Sequence, residues 1–393
     1  MSKKINSTFK QILSLVRQSI SKKKSYELHN PYFSKDEITL LNDCVKSSYV
    51  ATSGKYIDLF EKKLKKITKS KDVVTVLNGT VALKICLKIL GIQNGDEVLV
   101  PSLTFVGTVN AIKHAGGTPH FIDTDINTLG IDNNKLKKYI KQISQKNSKG
   151  YYINKKTKKK IFAVIPVHVF GNVGKIDELC KIANSFNLKI IEDAAEGLNS
   201  FYKKKHVGNF GDLGILSFNA NKIITTGGGG AIICGSTKMG KKIRHLTSTA
   251  KIKHKWEFLH DEIGWNYRMN NLSSALGCAQ LNKFSKIKKF KNNLSNKYLK
   301  NSKKFKNINF LKEPKFCKSN KWMNVILVDG LSLGERNKIL GLLHKKGVKC
   351  RPIWKLIHKL KMYKKSPRSD LSNAKKLETR IFCLPSGAEY GHD

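Results

Sequence analysis

The feature that most constrains the fold is a series of short, almost continuous apolar runs separated by helix-patterned stretches. "VVTVL" (73–77) and "DEVLVP" (96–101) bracket the helical pattern "TVALKICLKILGI". "TPHFIDTD" (118–125), "IFAVIPVHVFG" (161–171), "LKIIEDAAEG" (188–197), "GDLGILSFN" (211–219) and "GGGGAIICG" (227–235) extend the series. Strand-like runs alternating with helices imply βαβ units, hence an α/β fold around a mostly parallel central sheet. In such sheets ligands gather beyond the carboxyl ends of the strands, so the polar residues just after each run are the candidates for chemistry.

The remaining texture divides the chain into three. Residues 1–26 form a basic N-terminal extension in which "FKQILSLVRQSI" has helical apolar spacing. That spacing suits a membrane-surface helix, although we read the segment as a mobile or locally docked tail. Residues 27–255 carry the strand–helix alternation, with an expected hairpin or excursion loop over 137–162. Residues 256–393 read as a smaller C-terminal α+β domain.

Charge excludes less than its size suggests. A net charge of +46 raises a basic nucleic-acid-binding protein as one alternative. Lysine far outnumbers arginine, however, and the lysines are scattered along the chain, with no interleaved aromatic patch. We read them as solvated faces with a general attraction for anions. The eight cysteines form no CxxC pair, which argues against a zinc site and fits reduced thiols in the cytoplasm. No run of about 18 apolar residues predicts a membrane span.

Four post-strand segments stand out. "LNGTVAL" sets Asn78, Gly79 and Thr80 where a strand meets a helix start, a place that favours a phosphate and equally suits a simple cap. "VPSLTFVG" offers Phe105 for stacking on a planar ligand or for core packing. "IIEDAAEG" ends a strand in Glu192, Asp193 and Glu196, which suit an acid–base pair or an ion pair to a heterocyclic nitrogen; no metal-spaced cluster accompanies them. "SFNANKIITTGGGG" holds Ser217 and Lys222 before four glycines; alone, Lys222 would pass for a loop lysine. A phosphate cradle, an aromatic plate, a strand-end aspartate and a lysine in an apolar turn together match what pyridoxal 5'-phosphate requires.

These stretches, with "YVATSGKYIDLFEKKL", "GWNYRMNNLSSALGCAQL" and "RPIWKLIHKLKMY", resemble the DegT/DnrJ/EryC1/StrS sugar-nucleotide aminotransferases of PLP-dependent transferase fold type I. "HNPYFSKDE" looks most like the branch serving bacillosamine or legionaminic acid. The resemblance implies that Lys222 is the Schiff-base lysine and that Asp193 pairs with the pyridine nitrogen. It places Phe105 on the ring, Gly79, Thr80 and Ser217 on the phosphate, and Glu196 near the ring oxygen. It implies that Asn266 reaches the cofactor of a neighbouring subunit in a homodimer, and that Arg268 and His358 serve the substrate. The implied reaction moves an amino group from L-glutamate to a nucleotide-linked keto sugar. A UDP-linked 2-acetamido-2,6-dideoxy-4-keto-hexose is the first choice; dTDP- or GDP-linked 3- or 4-keto sugars are the alternative. Leu356 and Lys361 stand where relatives often have proline.

Overall fold

The computed structural model describes residues 2–392. The apolar runs become β1 (Asp72–Val76), β2 (Glu97–Pro101), β3 (Thr118–Ile122), β4 (Ile161–Val164), β5 (Lys189–Asp193), β6 (Leu213–Ser217) and β7 (Gly230–Cys234). They form one seven-stranded sheet in the order β1-β7-β6-β5-β4-β2-β3. Val74, Val98, Val164, Ile191, Ile215 and Ile232 are almost completely buried. That burial, repeated along each strand, is why the runs read as continuously apolar: helices cover both faces.

All ladders are parallel except those of β7, which runs antiparallel to both β1 and β6. The reversal has a physical consequence for the glycine-rich stretch. A parallel neighbour would need a crossover over the sheet face, whereas an antiparallel one is reached by a loop that stays at the same end. The segment carrying Lys222 is therefore held at the carboxyl end of β6. Gly230, opposite both Val76 and Ser217, has no room for a side chain: a Cβ there would lie 2.5 Å from the carbonyl carbon of Asn78.

Five helices matter below: α1 (Lys3–Ser19), α2 (Gly79–Ile89), α3 (Val106–His114), α4 (Phe284–Ser302) and α5 (Leu333–Lys345). The excursion after β3 contains the expected hairpin, Ser144–Lys146 paired with Tyr152–Asn154. Buried Glu97 staples it to the sheet, accepting from Asn154 Nδ2 at 2.9 Å and facing His120 Nδ1 at 2.8 Å.

A second sheet, β8 (Asn309–Phe310), β9 (Asn324–Leu327), β10 (Arg351–Pro352) and β11 (Ile381–Leu384), is antiparallel with the order β8-β9-β11-β10. The N-terminal helix joins this layer. Ile12, Leu15 and Val16 of α1 are fully buried, in one cluster with Leu294 and Tyr298 of α4 and Ile339 and Leu343 of α5. Beyond α1, Tyr26 exchanges backbone hydrogen bonds with the 347–349 segment, at 2.8 Å from its N–H and 2.9 Å to its carbonyl. The extension is thus docked, and the apolar side that suggested a membrane surface is spent on the protein's own core.

Candidate active site

Four strand ends converge. At the end of β1, the Asn78 side chain caps α2 by accepting from the Val81 N–H at 2.9 Å. The N–H groups of Gly79 and Thr80 occupy the first helical positions, which have no partner inside a helix, so the positive end of α2 faces outward with two donors. Ser217, at the end of β6, stands against them: a Cβ on Gly79 would lie 3.2 Å from Ser217 Cβ and 3.5 Å from its Oγ. The Thr80 hydroxyl closes the third side, 2.8 Å from where a Cβ on Gly107 would sit. Two glycines keep this concavity open and two hydroxyls line it, which fits a phosphate monoester.

Asp193 ends β5 and is buried. Its Oδ2 accepts from Thr108 Oγ1 on α3 at 2.7 Å, and its Oδ1 from the Ala195 N–H at 3.1 Å. One hydroxyl and one N–H orient the carboxylate without neutralising it, which suits a carboxylate that must meet a cationic ring nitrogen. Its neighbour Glu192 is fully buried and faces the other way. Its carboxylate accepts from Gly208 N at 2.8 Å and Gly211 N at 2.9 Å and contacts His168 Nε2 at 3.0 Å. Burial alone would raise the Glu192 carboxyl, but the His168 contact and the backbone donors bring it below the usual range, so this residue is a charged staple of the strand end. Phe105, just before α3, leaves its ring 54% exposed and free to stack.

Lys222 sits in the loop between β6 and β7, its side chain only 13% exposed. Nζ donates to Glu196 Oε1 at 3.0 Å and lies 4.6 Å from the centre of the Trp322 ring. The other oxygen of Glu196 accepts from the Phe170 N–H at 2.8 Å. Burial pushes the Glu196 carboxyl above the usual range even though Lys222 pulls the other way. Phe170 has a positive φ of 58° without being glycine, a conformation the Glu196 contact helps to hold. An amine, a carboxylate that answers it, a strand-end aspartate and an anion cradle thus lie at or just beyond the carboxyl ends of β1, β5 and β6, and the donor set fits pyridoxal phosphate. Among the described residues no cluster could hold a metal ion.

The model of the DegT/DnrJ/EryC1/StrS aminotransferase family matches residues 31–393. The chain belongs to that family. The aminotransferase is 35% identical over 86% of both chains to GDP-perosamine synthase of Escherichia coli O157:H7. It is 30% identical to a UDP-4-amino-4,6-dideoxy-N-acetyl-beta-L-altrosamine transaminase of Campylobacter jejuni, over 84% of this chain and 83% of that one. Among solved structures, Helicobacter pylori PseC, an aminotransferase involved in the biosynthesis of pseudoaminic acid, superposes with a TM-score of 0.83 at 25% identity, covering 93% of this chain and 94% of that one. The protein is accordingly a pyridoxal-phosphate-dependent sugar aminotransferase of fold type I.

Two residues expected on the substrate side of the aminotransferase are buried in this protomer. Arg268 is buried, donating to Glu61 Oε1 at 2.8 Å and to the Thr75 carbonyl at 3.1 Å. Glu61 also takes Arg244, which pairs in turn with Asp72 at 2.6 Å. Arg268 is thus one corner of an ion-pair network behind β1, because a buried guanidinium needs a carboxylate and Glu61 is the one at hand. His358 is likewise buried, its Nδ1 2.7 Å from Ser102 Oγ, so it braces the loop that presents Phe105. Burial lowers its pKa, and Arg368 and Lys359 add to that. Asn266 is exposed and bridged to Ser248.

Other contributors were not singled out from sequence. Trp322 and Trp354 come from the second layer, and Phe170 stacks on Trp354 at 5.7 Å, so that aromatic rings run from Phe105 to the lysine. Their only signal was tryptophan's rarity in a chain that has four. Thr108 carried a usable one: it lies one turn into a helix that begins at the stacking residue.

Proposed function

We propose that the aminotransferase moves an amino group from L-glutamate to a nucleotide-linked 4-keto-6-deoxy sugar, with UDP-2-acetamido-2,6-dideoxy-4-keto-hexose as the first candidate. The observation that carries the reading is the convergence on Lys222 of a carboxylate at 3.0 Å and an aromatic face, beside Asp193 and the α2 cradle. Gly79, Thr80 and Ser217 hold the phosphate, Phe105 covers the ring and Asp193 keeps the ring nitrogen protonated. When bound, pyridoxal phosphate supplies a carbonyl carbon that takes an amine and a ring that stores an electron pair. Lys222 Nζ carries the group and, once displaced by glutamate, removes the α-proton of the donor. In the second half-reaction the same amine delivers a proton to C4 of the sugar. Glu196 accepts from Nζ and keeps it aimed while it is free.

Exposed Asn266 supports a homodimer in which it completes the partner's phosphate site. Exposed Trp256, Phe258 and Ile263 near it, 73%, 78% and 94% accessible, supply apolar surface for that contact. The cytoplasm, where nucleotide sugars and glutamate are at hand, is the proposed location, and no helix among the described residues is long and apolar enough to cross a membrane.

The likeness to GDP-perosamine synthase makes a GDP-linked 4-keto sugar the second reading. Incubation with glutamate and a panel of UDP-, GDP- and dTDP-linked keto sugars, read by mass, decides between them. Amine gained only by the UDP-linked N-acetylated sugar upholds the first. Amine gained only by the GDP-linked sugar replaces it with the second, and no amine on any 4-keto sugar refutes both.

A further inference from the structure

Trp322 belongs to the second layer, just before β9, yet it is built into the Lys222 turn. Its indole Nε1–H donates to the Asn221 carbonyl at 2.7 Å, one residue before the lysine. Its ring face carries Lys222 Nζ at 4.6 Å. The tryptophan is itself held from several sides. Its N–H donates to Asn320 Oδ1 at 2.9 Å, and its carbonyl accepts from Lys291 Nζ at 2.6 Å. Phe170 and His29 flank the ring at 6.3 and 6.1 Å. Asn320 also donates through Nδ2 to the carbonyl of Glu196 at 2.8 Å, so one short segment grips both the lysine and its carboxylate. The indole is 3% exposed and has no other hydrogen-bonding task.

We propose that Trp322 is a positioning residue for the Lys222 amine: it fixes the turn through Asn221 and receives the ammonium on its face whenever Nζ is not joined to the cofactor. The inference rests on the reading of Lys222 as the Schiff-base lysine. A lysine that must alternate between a covalent link and proton transfer needs a place for its free form. Water would let the four-carbon stem wander, whereas a ring face and one carboxylate define a direction. The second layer thereby contributes directly to the geometry of a lysine carried by the first.

Two variants and two readouts test this. Trp322→Phe keeps a ring face and loses the indole N–H; Trp322→Leu loses both. In cofactor-free protein, acylation of Lys222 by acetic anhydride at neutral pH, followed by peptide mass, is expected to be about threefold to tenfold faster in Trp322→Leu, with Trp322→Phe between it and the wild type. In loaded enzyme, kcat is expected to fall about tenfold or more in Trp322→Leu and less in Trp322→Phe, with KM for the keto sugar little changed. Equal acylation rates in all three proteins, or a loss confined to KM, would overturn the proposal. Borohydride reduction of the loaded wild type separates this from the underlying reading. If the cofactor is not fixed on Lys222, that reading falls; if it is fixed and the variants behave as wild type, the role of Trp322 falls alone. Melting curves within a few degrees of wild type exclude simple unfolding.

Discussion

Two lysines meet Trp322, Lys222 on its ring and Lys291 at its carbonyl, and their surroundings differ in kind. Lys291, on α4, is 1% exposed and donates to the carbonyls of Trp322 and Ser386. Among the described residues no carboxylate comes within ion-pair distance of it, and burial lowers its pKa to about 7. Lys222 has a carboxylate at 3.0 Å and a ring face at 4.6 Å. Burial by itself produces a staple, a cation spent on backbone carbonyls. A proton-transfer group needs in addition a partner that can follow its charge and a path to a reacting atom.

The sharpest way to break the comparison is to remove the cradle-side amine. Lys222→Ala is expected to lose about a thousandfold or more in glutamate-dependent amination of the keto sugar, because both the covalent link and the proton carrier go. Its melting temperature should stay close to wild type, since only one ion pair and one ring contact are lost. Turnover within tenfold of wild type would place Lys222 in the same class as Lys291.

Glu196→Gln sharpens the contrast by sparing shape. The amide still accepts from Phe170 N–H but no longer carries charge beside Nζ, and we expect about a tenfold fall in kcat. The sign of the pH effect follows from the raised carboxyl. In the wild type the carboxylate is present above its elevated pKa and is lost as pH falls through it, so activity should decline on the acid side earlier than an ordinary glutamate would dictate. The glutamine variant should lack that acid limb. A kcat–pH profile that keeps the limb in Glu196→Gln would assign it to another group.

How far these differences were legible in the sequence depends on the range of the contacts. The sheet was readable because its strands are buried on both faces, which makes each run continuous, and because each candidate from β1, β2, β5 and β6 lies at the end of its strand or within a few positions beyond it. Lys222, Asp193 and Ser217 became candidates in that way. The reversal of β7 was hidden, since "GGGGAIICG" is as apolar as its parallel neighbours and direction leaves no mark on composition. The partners of Arg268 and His358 were not legible, because proximity in sequence to functional residues says nothing about which carboxylate or hydroxyl a side chain finds after folding. Glu61 lies 207 positions from Arg268, and Ser102 lies 256 from His358. Trp322 escaped for the same reason: its bond to Asn221 spans 101 positions. Lys291 looked like any other lysine on a basic helix.

The smallest expected effect on turnover, and the most direct test of the staple, is Lys291→Met. Its kcat should stay within about fivefold of wild type, because Lys291 meets Trp322 only at its backbone carbonyl and touches neither Lys222 nor the cradle. Stability should respond instead, and with a defined sign. A lysine lowered from 10.5 to about 7 binds fewer protons in the folded chain than in the unfolded chain across that interval. Stability therefore rises with pH there: the penalty of burying the charge is full below the folded value and vanishes above the unfolded one. At about 1.4 kcal/mol per pKa unit the ceiling is a few kcal/mol. Methionine has no such term, though it leaves the carbonyls of Trp322 and Ser386 without their donor, which costs about 1–3 kcal/mol for each buried group. Wild type should accordingly gain on the variant as pH is raised from about 7 towards 9, a window bounded by the two pKa values. Denaturant midpoints of both proteins across that range measure the gain. A constant difference would show that Lys291 keeps its proton throughout, and a collapse of kcat to the level of Lys222→Ala would show that the second lysine belongs to the chemistry after all.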